Sequence, residues 1–201
     1  MAKLKQSKLV SSNKGQLRII AGKWRGRKLQ FPDIEQLRPT PDRVRETIFN
    51  WLQAYVGDAH CLDLFAGSGV LSFEALSRGA EHVTMVEVQG EAVKQLVVNR
   101  KTLLAEQEAD IKQMTAQQYL KQCQQQFDVV FIDPPYQADL WTEIAQLLVN
   151  YKILADNALI YLECPTNKPL PTLPNNWQLI KDKKAGDVRY CLLTNVVGDS
   201  K

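Results

Sequence analysis

Along this chain, short apolar runs trade places with stretches whose apolar residues recur every three or four positions. Cys61-Leu62-Asp63-Leu64-Phe65, His82–Glu87, Asp110–Met114, Val129-Val130-Phe131-Ile132 and Ala158–Cys164 are the short runs. Several are near-continuous in apolar residues, as in strands buried on both faces of a parallel sheet. The stretch after Gly69, residues 90–104, Ala116–Cys123 and a segment holding Leu140, Ile144, Leu147 and Leu148 read as the intervening helices. Strand and helix in alternation predict an α/β fold with a right-handed, mainly parallel sheet. Pro165, Pro169, Pro171 and Pro174 then crowd ten residues, which makes that segment a loop. Trp177–Lys183 and Val188–Val197 flank Gly186 and predict a hairpin that closes the sheet antiparallel.

The pattern ahead of residue 60 differs. Leu17–Phe31 holds two strand-like pieces around Gly22 and Gly26, a small β-hairpin. Thr40 then reads as a helix N-cap with Pro41 in the first helical position. Val44, Ile48, Trp51, Leu52 and Tyr55 supply the apolar stripe of that helix, flanked by Arg43 and Arg45. The resulting division is a disordered basic tail over 1–16, a basic hairpin over 17–36 and an α/β domain over 37–201.

Charge sharpens this picture. Residues 1–45 hold 12 of the 25 Lys and Arg against three acids, a net +9, and residues 46–201 carry a net −6. A basic arm on a mildly acidic body suits a polyanion. Arg18, Lys23, Arg25, Arg27 and Lys28 alternate with Trp24 and Phe31, offering cations to phosphates and a ring for stacking. A solvated edge guarded by lysines is the plainer alternative. No apolar run approaches the ~20 residues that span a membrane, and the first residues lack the apolar core of a secretory signal. Cys61, Cys123, Cys164 and Cys191 lie far apart with no Cys-x-x-Cys pair, so reduced thiols in a cytoplasmic protein are expected, with neither metal nor disulfides.

The candidate chemistry sits at strand ends. Val129–Ile132 runs into Asp133-Pro134-Pro135-Tyr136, where the prolines stop the strand and hold Asp133 and the Pro134 carbonyl in extended geometry. In open α/β sheets, ligands bind at the carboxyl ends of strands. A carboxylate, a carbonyl with no amide beside it and an aromatic ring suit a planar amine such as the exocyclic NH2 of a base. Alternatively, Tyr136 simply packs in the core. Gly67 and Gly69 allow a tight turn and close approach of a ligand beside a helix N-terminus. The dinucleotide fingerprint fails, because Ser72 stands at its third glycine. Asp63 would repel a pyrophosphate and welcome a cationic sulfonium amino acid, which favours S-adenosylmethionine over NAD or ATP. Glu87, at the next strand end and 24 residues after Asp63, can accept ribose hydroxyls.

Taken together, Leu17–Phe31, Arg38–Leu52, Asp63–Gly69, Asp133–Tyr136 and Gly186–Tyr190 resemble the bacterial 16S ribosomal RNA guanine-N2 methyltransferases of the RsmD family. The resemblance runs from about residue 16 to 195. It implies a Rossmann-like S-adenosylmethionine-dependent methyltransferase fold, a monomer acting in the cytoplasm, and 16S ribosomal RNA or the assembling small subunit as partner. It implies catalysis by Asp133, Pro134, Pro135 and Tyr136. Cofactor contacts would come from Asp63, Phe65, Ala66, Gly67, Ser68, Gly69, Glu87, Val88, Thr115, Ala116 and, where the two sets meet, Asp133. RNA contacts would come from Arg18, Lys23, Trp24, Arg25, Arg27, Lys28, Arg38 and Arg43. Departures are Ser72 at a frequent glycine, Val88-Gln89 where another acid commonly follows, and Thr115-Ala116 in place of the usual Asn or Asp at the adenine position. Thr115 hydroxyl or the Ala116 amide can substitute there. Two rival readings are an adenine-N6 methyltransferase with the same residues and a non-enzymatic RNA-binding protein with the same fold.

Overall fold

A computed structural model describes residues 14–32 and 40–196 of the chain. Two strands, β1 (Lys14–Arg18) and β2 (Lys28–Pro32), pair antiparallel with Leu17 opposite Leu29. Helix α1 (Asp42–Trp51) leads to the sheet strand β3 (His60–Asp63). After it come α2 (Val70–Ser77), β4 (His82–Glu87), α3 (Gly90–Thr102), β5 (Ala109–Gln113), α4 (Ala116–Gln122), β6 (Phe127–Ile132) and α5 (Trp141–Asn150). Strands β7 (Leu154–Pro165), β8 (Trp177–Ala185) and β9 (Val188–Asn195) complete a seven-stranded sheet in the order β5-β4-β3-β6-β7-β9-β8. Strands β3 to β7 run parallel, and the last hairpin is antiparallel.

The order reverses between β3 and β6, because β4 and β5 lie on one side of β3 and β6 and β7 on the other. A crevice opens at the carboxyl ends of strands where the order reverses. Val129, Val130, Phe131 and Ile132 are wholly buried, as expected for a strand with helices on both faces. Their side chains divide between the two core layers: Val129 and Phe131 join the one beneath α1 and α2, Val130 and Ile132 the one beneath α4 and α5. Phe49 of α1 meets Phe131 at 6.2 Å between ring centroids, and Phe131 meets the Tyr161 ring edge-on.

The basic hairpin joins the same core. Leu17, Ile19 and Leu29 are buried in the layer beneath α1 and α2, with Trp24 and Phe31 packed against it. Glu74 of α2, wholly buried, accepts the Ile20 and Ala21 amides at 2.8 Å and 3.1 Å. Its charge is matched by Arg78, whose Nε donates at 2.8 Å, and by the Arg45 guanidinium at 3.6 Å. Arg45, itself buried, also donates to the Arg18 carbonyl, the Thr40 carbonyl and the Asp42 carboxylate. A buried charge persists only when paired and hydrogen-bonded in this way. Ser77 donates to the Ala21 carbonyl and accepts the Trp24 amide.

Several sequence expectations shift. Lys14, Gly15 and Gln16 belong to β1 and not to the tail; residues 1–13 lie outside the described residues. Thr40 is not the N-cap. Pro41 holds that place in extended geometry (ψ 148°), with no side-chain cap, so α1 starts at Asp42. Its carbonyl accepts the Val44 and Arg45 amides. Tyr55 falls beyond the end of α1 and is exposed. Strand β7 starts at Leu154, four residues early, because an irregularity between Phe127 and Val129 lets an earlier segment pair.

Candidate active site

Five strand ends build the site. The chain leaves β3 at Asp63 and turns through Phe65, Ala66, Gly67 and Ser68. The turn is held by the Gly69 amide on the Ala66 carbonyl at 2.7 Å and the Ala66 amide on the Val86 carbonyl at 2.9 Å. Gly69 has φ +77°, and a Cβ there would come within 2.6 Å of both Phe73 and Leu96 side-chain atoms. The turn therefore stays bare of side chain at the mouth of α2, an arrangement that admits a ligand close to backbone.

Asp63 is buried. Ser72, which occupies the third-glycine position, donates its hydroxyl to Asp63 at 2.6 Å, and the Phe65 amide reaches the other oxygen at 3.4 Å. Burial nevertheless pushes the Asp63 carboxyl up to about 6, the two hydrogen bonds pulling the other way and Glu87 adding repulsion. A raised acid binds more protons folded than unfolded, so the sign of its linkage is negative: stability is present below the unfolded value and declines as pH climbs through about 4 to 6. The loss levels off above that window at about 3 kcal/mol. Asp63→Asn should remove this decline, so urea midpoints at pH 4.5 and pH 8 should differ less in the variant than in the parent. An identical pH dependence would show that Asp63 ionises freely.

At the end of β4, Glu87 is nearly buried and accepts two backbone amides, Gly67 at 2.8 Å and Gln89 at 2.7 Å. It thereby ties the glycine turn to the neighbouring strand. Each carboxylate oxygen keeps a second lone pair for a hydroxyl. Val88 beside it is 58% exposed, an apolar wall on the open side. Thr115 is the N-cap of α4 in a reciprocal pair with Gln118, accepting the Gln118 amide at 3.2 Å and donating its amide to the Gln118 side chain. Its hydroxyl is thus committed to the helix, and Ala116 at the first helical position offers the freer amide.

At the end of β6, Asp133 is half-buried and Pro134 is buried. Among the described residues nothing donates to the Pro134 carbonyl, whereas the Pro135 carbonyl accepts the Ala138 amide at 2.9 Å. The unexpected member is Glu163. Ile132 pairs with Leu162, which sets Glu163 beside Asp133 on the adjacent strand. Glu163 accepts the Tyr136 hydroxyl at 3.0 Å and the Tyr161 hydroxyl at 2.7 Å, and its carbonyl accepts the Trp141 indole N–H at 2.6 Å. Tyr136 is thus braced by its hydroxyl, with its ring tilted against Trp141 at 6.1 Å. Burial, then the neighbouring Glu163 and Asp63 charges, hold the Asp133 carboxyl well above its ordinary value. Burial likewise raises Glu163, opposed by its two tyrosine hydrogen bonds. An acid inside the apolar run Ala158–Cys164 was the available signal, the same one that marks Glu87.

The fold therefore brings Asp63–Gly69, Glu87, Val88, Thr115, Ala116 and Asp133–Tyr136 to one end of one sheet. A buried, raised carboxyl, a bare glycine turn and an acid with free lone pairs fit a cationic amino-acid nucleoside. The family model described as conserved hypothetical protein 95 matches residues 17–194. A Haemophilus influenzae protein named Ribosomal RNA small subunit methyltransferase D is 49% identical over 185 residues, covering 90% of this chain and 95% of that one. The chain belongs to the RsmD family. An Escherichia coli member of the same name is 49% identical over 181 residues, covering 90% of this chain and 91% of its own. A solved Escherichia coli chain matches with a TM-score of 0.85 at 46% identity, covering 90% of this chain and 99% of that one. This RsmD-family chain is a methyltransferase with a Rossmann-like fold.

The basic residues lie apart from the strand ends. Arg18, Arg25, Arg27, Lys28 and Arg43 are exposed, and Arg27 donates to the Thr102 carbonyl. Lys23 pairs with Glu108 at 2.7 Å and covers the Trp24 ring at 4.4 Å. Trp24 is half-buried, so less of its ring is free than the sequence suggested. Arg38 lies outside the described residues. No helix among the described residues is long and apolar enough to cross a membrane, and no cluster of metal-ligating side chains occurs among them. The four thiols are free, with Cys61, Cys164 and Cys191 buried.

Proposed function

We propose that this chain transfers a methyl group from S-adenosylmethionine to the exocyclic N2 of a guanine in 16S ribosomal RNA. The observation that carries methylation of an exocyclic amine is the Asp133-Pro134-Pro135-Tyr136 end of β6, with an unshared Pro134 carbonyl, a high-pKa carboxyl and a braced ring, set beside the glycine turn of β3; the choice of guanine over adenine rests on the family resemblance. The names of the relatives support the ribosomal substrate.

Guanine N2 is a poor nucleophile because its lone pair is delocalised into the ring. Asp133 and the Pro134 carbonyl accept its two N–H bonds, which favours a pyramidal nitrogen and directs the lone pair outward. Tyr136 supplies a stacking face for a base turned out of its helix, and Glu163 fixes the orientation of that face through the phenol. The turn Phe65–Gly69 and Glu87 would hold the cofactor, which would supply the electrophilic methyl from its sulfonium and leave as the neutral thioether, S-adenosylhomocysteine, as the S–CH3 bond breaks. Asp133, half-buried and with its carboxyl held above the ordinary value, is a stronger proton acceptor than a fully exposed acid and is placed to take the proton that the methylated amine sheds. Orientation of the reacting atoms within ~3–3.5 Å supplies most of the acceleration.

The test is transfer of a labelled methyl to deproteinised 16S RNA and to partly assembled small subunits, followed by nuclease digestion and identification of the modified nucleoside. N2-methylguanosine is the expected product. N6-methyladenosine would replace the guanine assignment, and no transfer to either substrate would leave an RNA-binding protein.

The exposed arm gives a separate expectation. Replacing Arg25, Arg27 and Lys28 together by Ala should flatten the salt dependence of RNA affinity by roughly two to three units on a log–log plot. A wild-type slope would make the hairpin a solvated edge.

A further inference from the structure

We infer that Lys181, Lys183 and the half-exposed Trp51 ring form a second RNA-contact surface, beside the target-amine pocket and distinct from the N-terminal hairpin. The inference rests on the methyltransferase reading above, and its occupant is the RNA strand that flanks the target nucleotide.

The placement follows from strand register. Strand β8 is the outer edge of the sheet, and an irregularity between Leu179 and Lys181 resets its pairing with β9. Beyond it, Lys181 lies opposite Leu192 and Lys183 opposite Tyr190, and Tyr190 lies opposite Glu163 of β7. Leu192 and Tyr190 face the core layer beneath α1, so both lysines issue on that side of the sheet. Phe131 and Tyr161 face the same layer, and Asp133 and Glu163 follow them two residues on. Asp133, Glu163, Tyr190 and Lys183 thus form one row across the sheet, and three strand spacings separate its ends by about 14 Å.

Trp51, the last residue of α1, stands over this row. Its ring stacks on Tyr190 with centroids 5.5 Å apart and 28° between the planes. The Lys183 ammonium lies 5.8 Å from the Trp51 ring centroid. An indole backed by a second ring and left half-exposed is a rigid, base-sized platform with a cation at its rim. The acid in this strand does not cancel the lysines. Asp182 points to the opposite face, where the Cys191 thiol meets it and Arg189 grips it at 2.6 Å and 3.0 Å. Residues 181–189 carry four cations against two acids, in a body that is otherwise net acidic.

Lysines on an edge strand also deter edge-to-edge association. That role asks only for charge along the edge and sets no aromatic platform next to it.

The experiment measures affinity of the full chain for deproteinised 16S RNA at several salt concentrations, alongside S-adenosylmethionine calorimetry. Lys181→Gln with Lys183→Gln should flatten the log–log slope by about one and a half to two units, because each neutralised phosphate contact releases close to one counterion. Cofactor affinity should stay at the wild-type value. Trp51→Leu should weaken RNA about tenfold with the slope unchanged, since stacking releases few ions. Should Trp51→Leu fail to fold, ultraviolet crosslinking of wild-type protein to the RNA decides: a crosslink on the peptide carrying Trp51 supports the platform, and its absence overturns it. A lysine pair with wild-type slope and affinity reduces the strand to an edge guard and overturns the inference. If that happens while the Arg25, Arg27 and Lys28 variant loses RNA, only this inference falls. If wild-type protein binds neither deproteinised 16S RNA nor partly assembled small subunits, the functional reading falls with it.

Discussion

Asp133→Ala should lower the turnover number for methyl transfer by at least about 100-fold while S-adenosylmethionine binds within a few-fold of wild type. The magnitude follows from what the residue supplies. Loss of one of two acceptors leaves the target amine free to rotate, and misplacement of a reacting atom by about 1 Å costs on the order of 100-fold. Loss of the proton acceptor adds to this. Cofactor affinity is spared because the carboxylates nearest the cofactor turn, Asp63 and Glu87, carry their own hydrogen bonds to Ser72, Gly67 and Gln89. Asp133→Asn separates the two contributions. The amide oxygen still accepts an N–H but takes no proton, so a milder loss that no longer varies with pH identifies acceptor geometry as the larger part. Single-turnover kinetics with saturating cofactor make the measurement, and near wild-type turnover of Asp133→Ala would remove the residue from the chemistry.

Gly67→Val should abolish cofactor binding, seen by calorimetry as the loss of measurable heat up to millimolar S-adenosylmethionine. Gly67 has φ +51°, a left-handed conformation that costs a residue with a Cβ roughly 1–2 kcal/mol. Valine, branched at Cβ, pays most there and projects two methyl groups from the turn that a ligand must approach. The variant also strains the Gly67 amide that donates to Glu87, so the carboxylate proposed to accept the ribose is displaced at the same time. Gly69→Ala should behave differently. Its added Cβ meets Phe73 and Leu96 side chains rather than the crevice, so it lowers the unfolding midpoint first. A Gly67→Val protein that binds cofactor normally would move the cradle elsewhere.

Local signals carried much of this site and long-range ones little. The Asp133-Pro134-Pro135-Tyr136 end was legible because proline leaves a strand few ways to continue, and the Gly67–Gly69 turn because only glycine takes such geometry without strain. The parallel sheet followed from strand–helix alternation; its strand order, with the reversal between β3 and β6, is set by long-range pairing that no local pattern carries. Glu163 was visible only as an acid at the end of an apolar strand; its bond to Tyr136 depends on β6 and β7 being neighbours in register, which no local spacing encodes. Arg45 was read as flanking an apolar stripe, yet it is buried, because its partner Glu74 lies 29 residues away on another helix. Thr40 followed the sequence rule for an N-cap, but Pro41 at ψ 148° defers the helix by one residue and leaves the Thr40 carbonyl to Arg45. Thr115, weighed as an adenine contact, also caps its own helix, a local preference that ties up its hydroxyl.

The Glu74 junction has a consequence for how such proteins can be recombined. Ile20, Ala21, Arg45 and Arg78 all converge on one carboxylate that has no access to water. A chimera that imports a foreign hairpin inherits the whole junction or strands a charge in the core. The arm and helix α2 therefore form one cassette for exchange, although about 50 residues separate them along the chain. Because α2 begins at the glycine turn, any successful graft of the basic arm carries that turn with it.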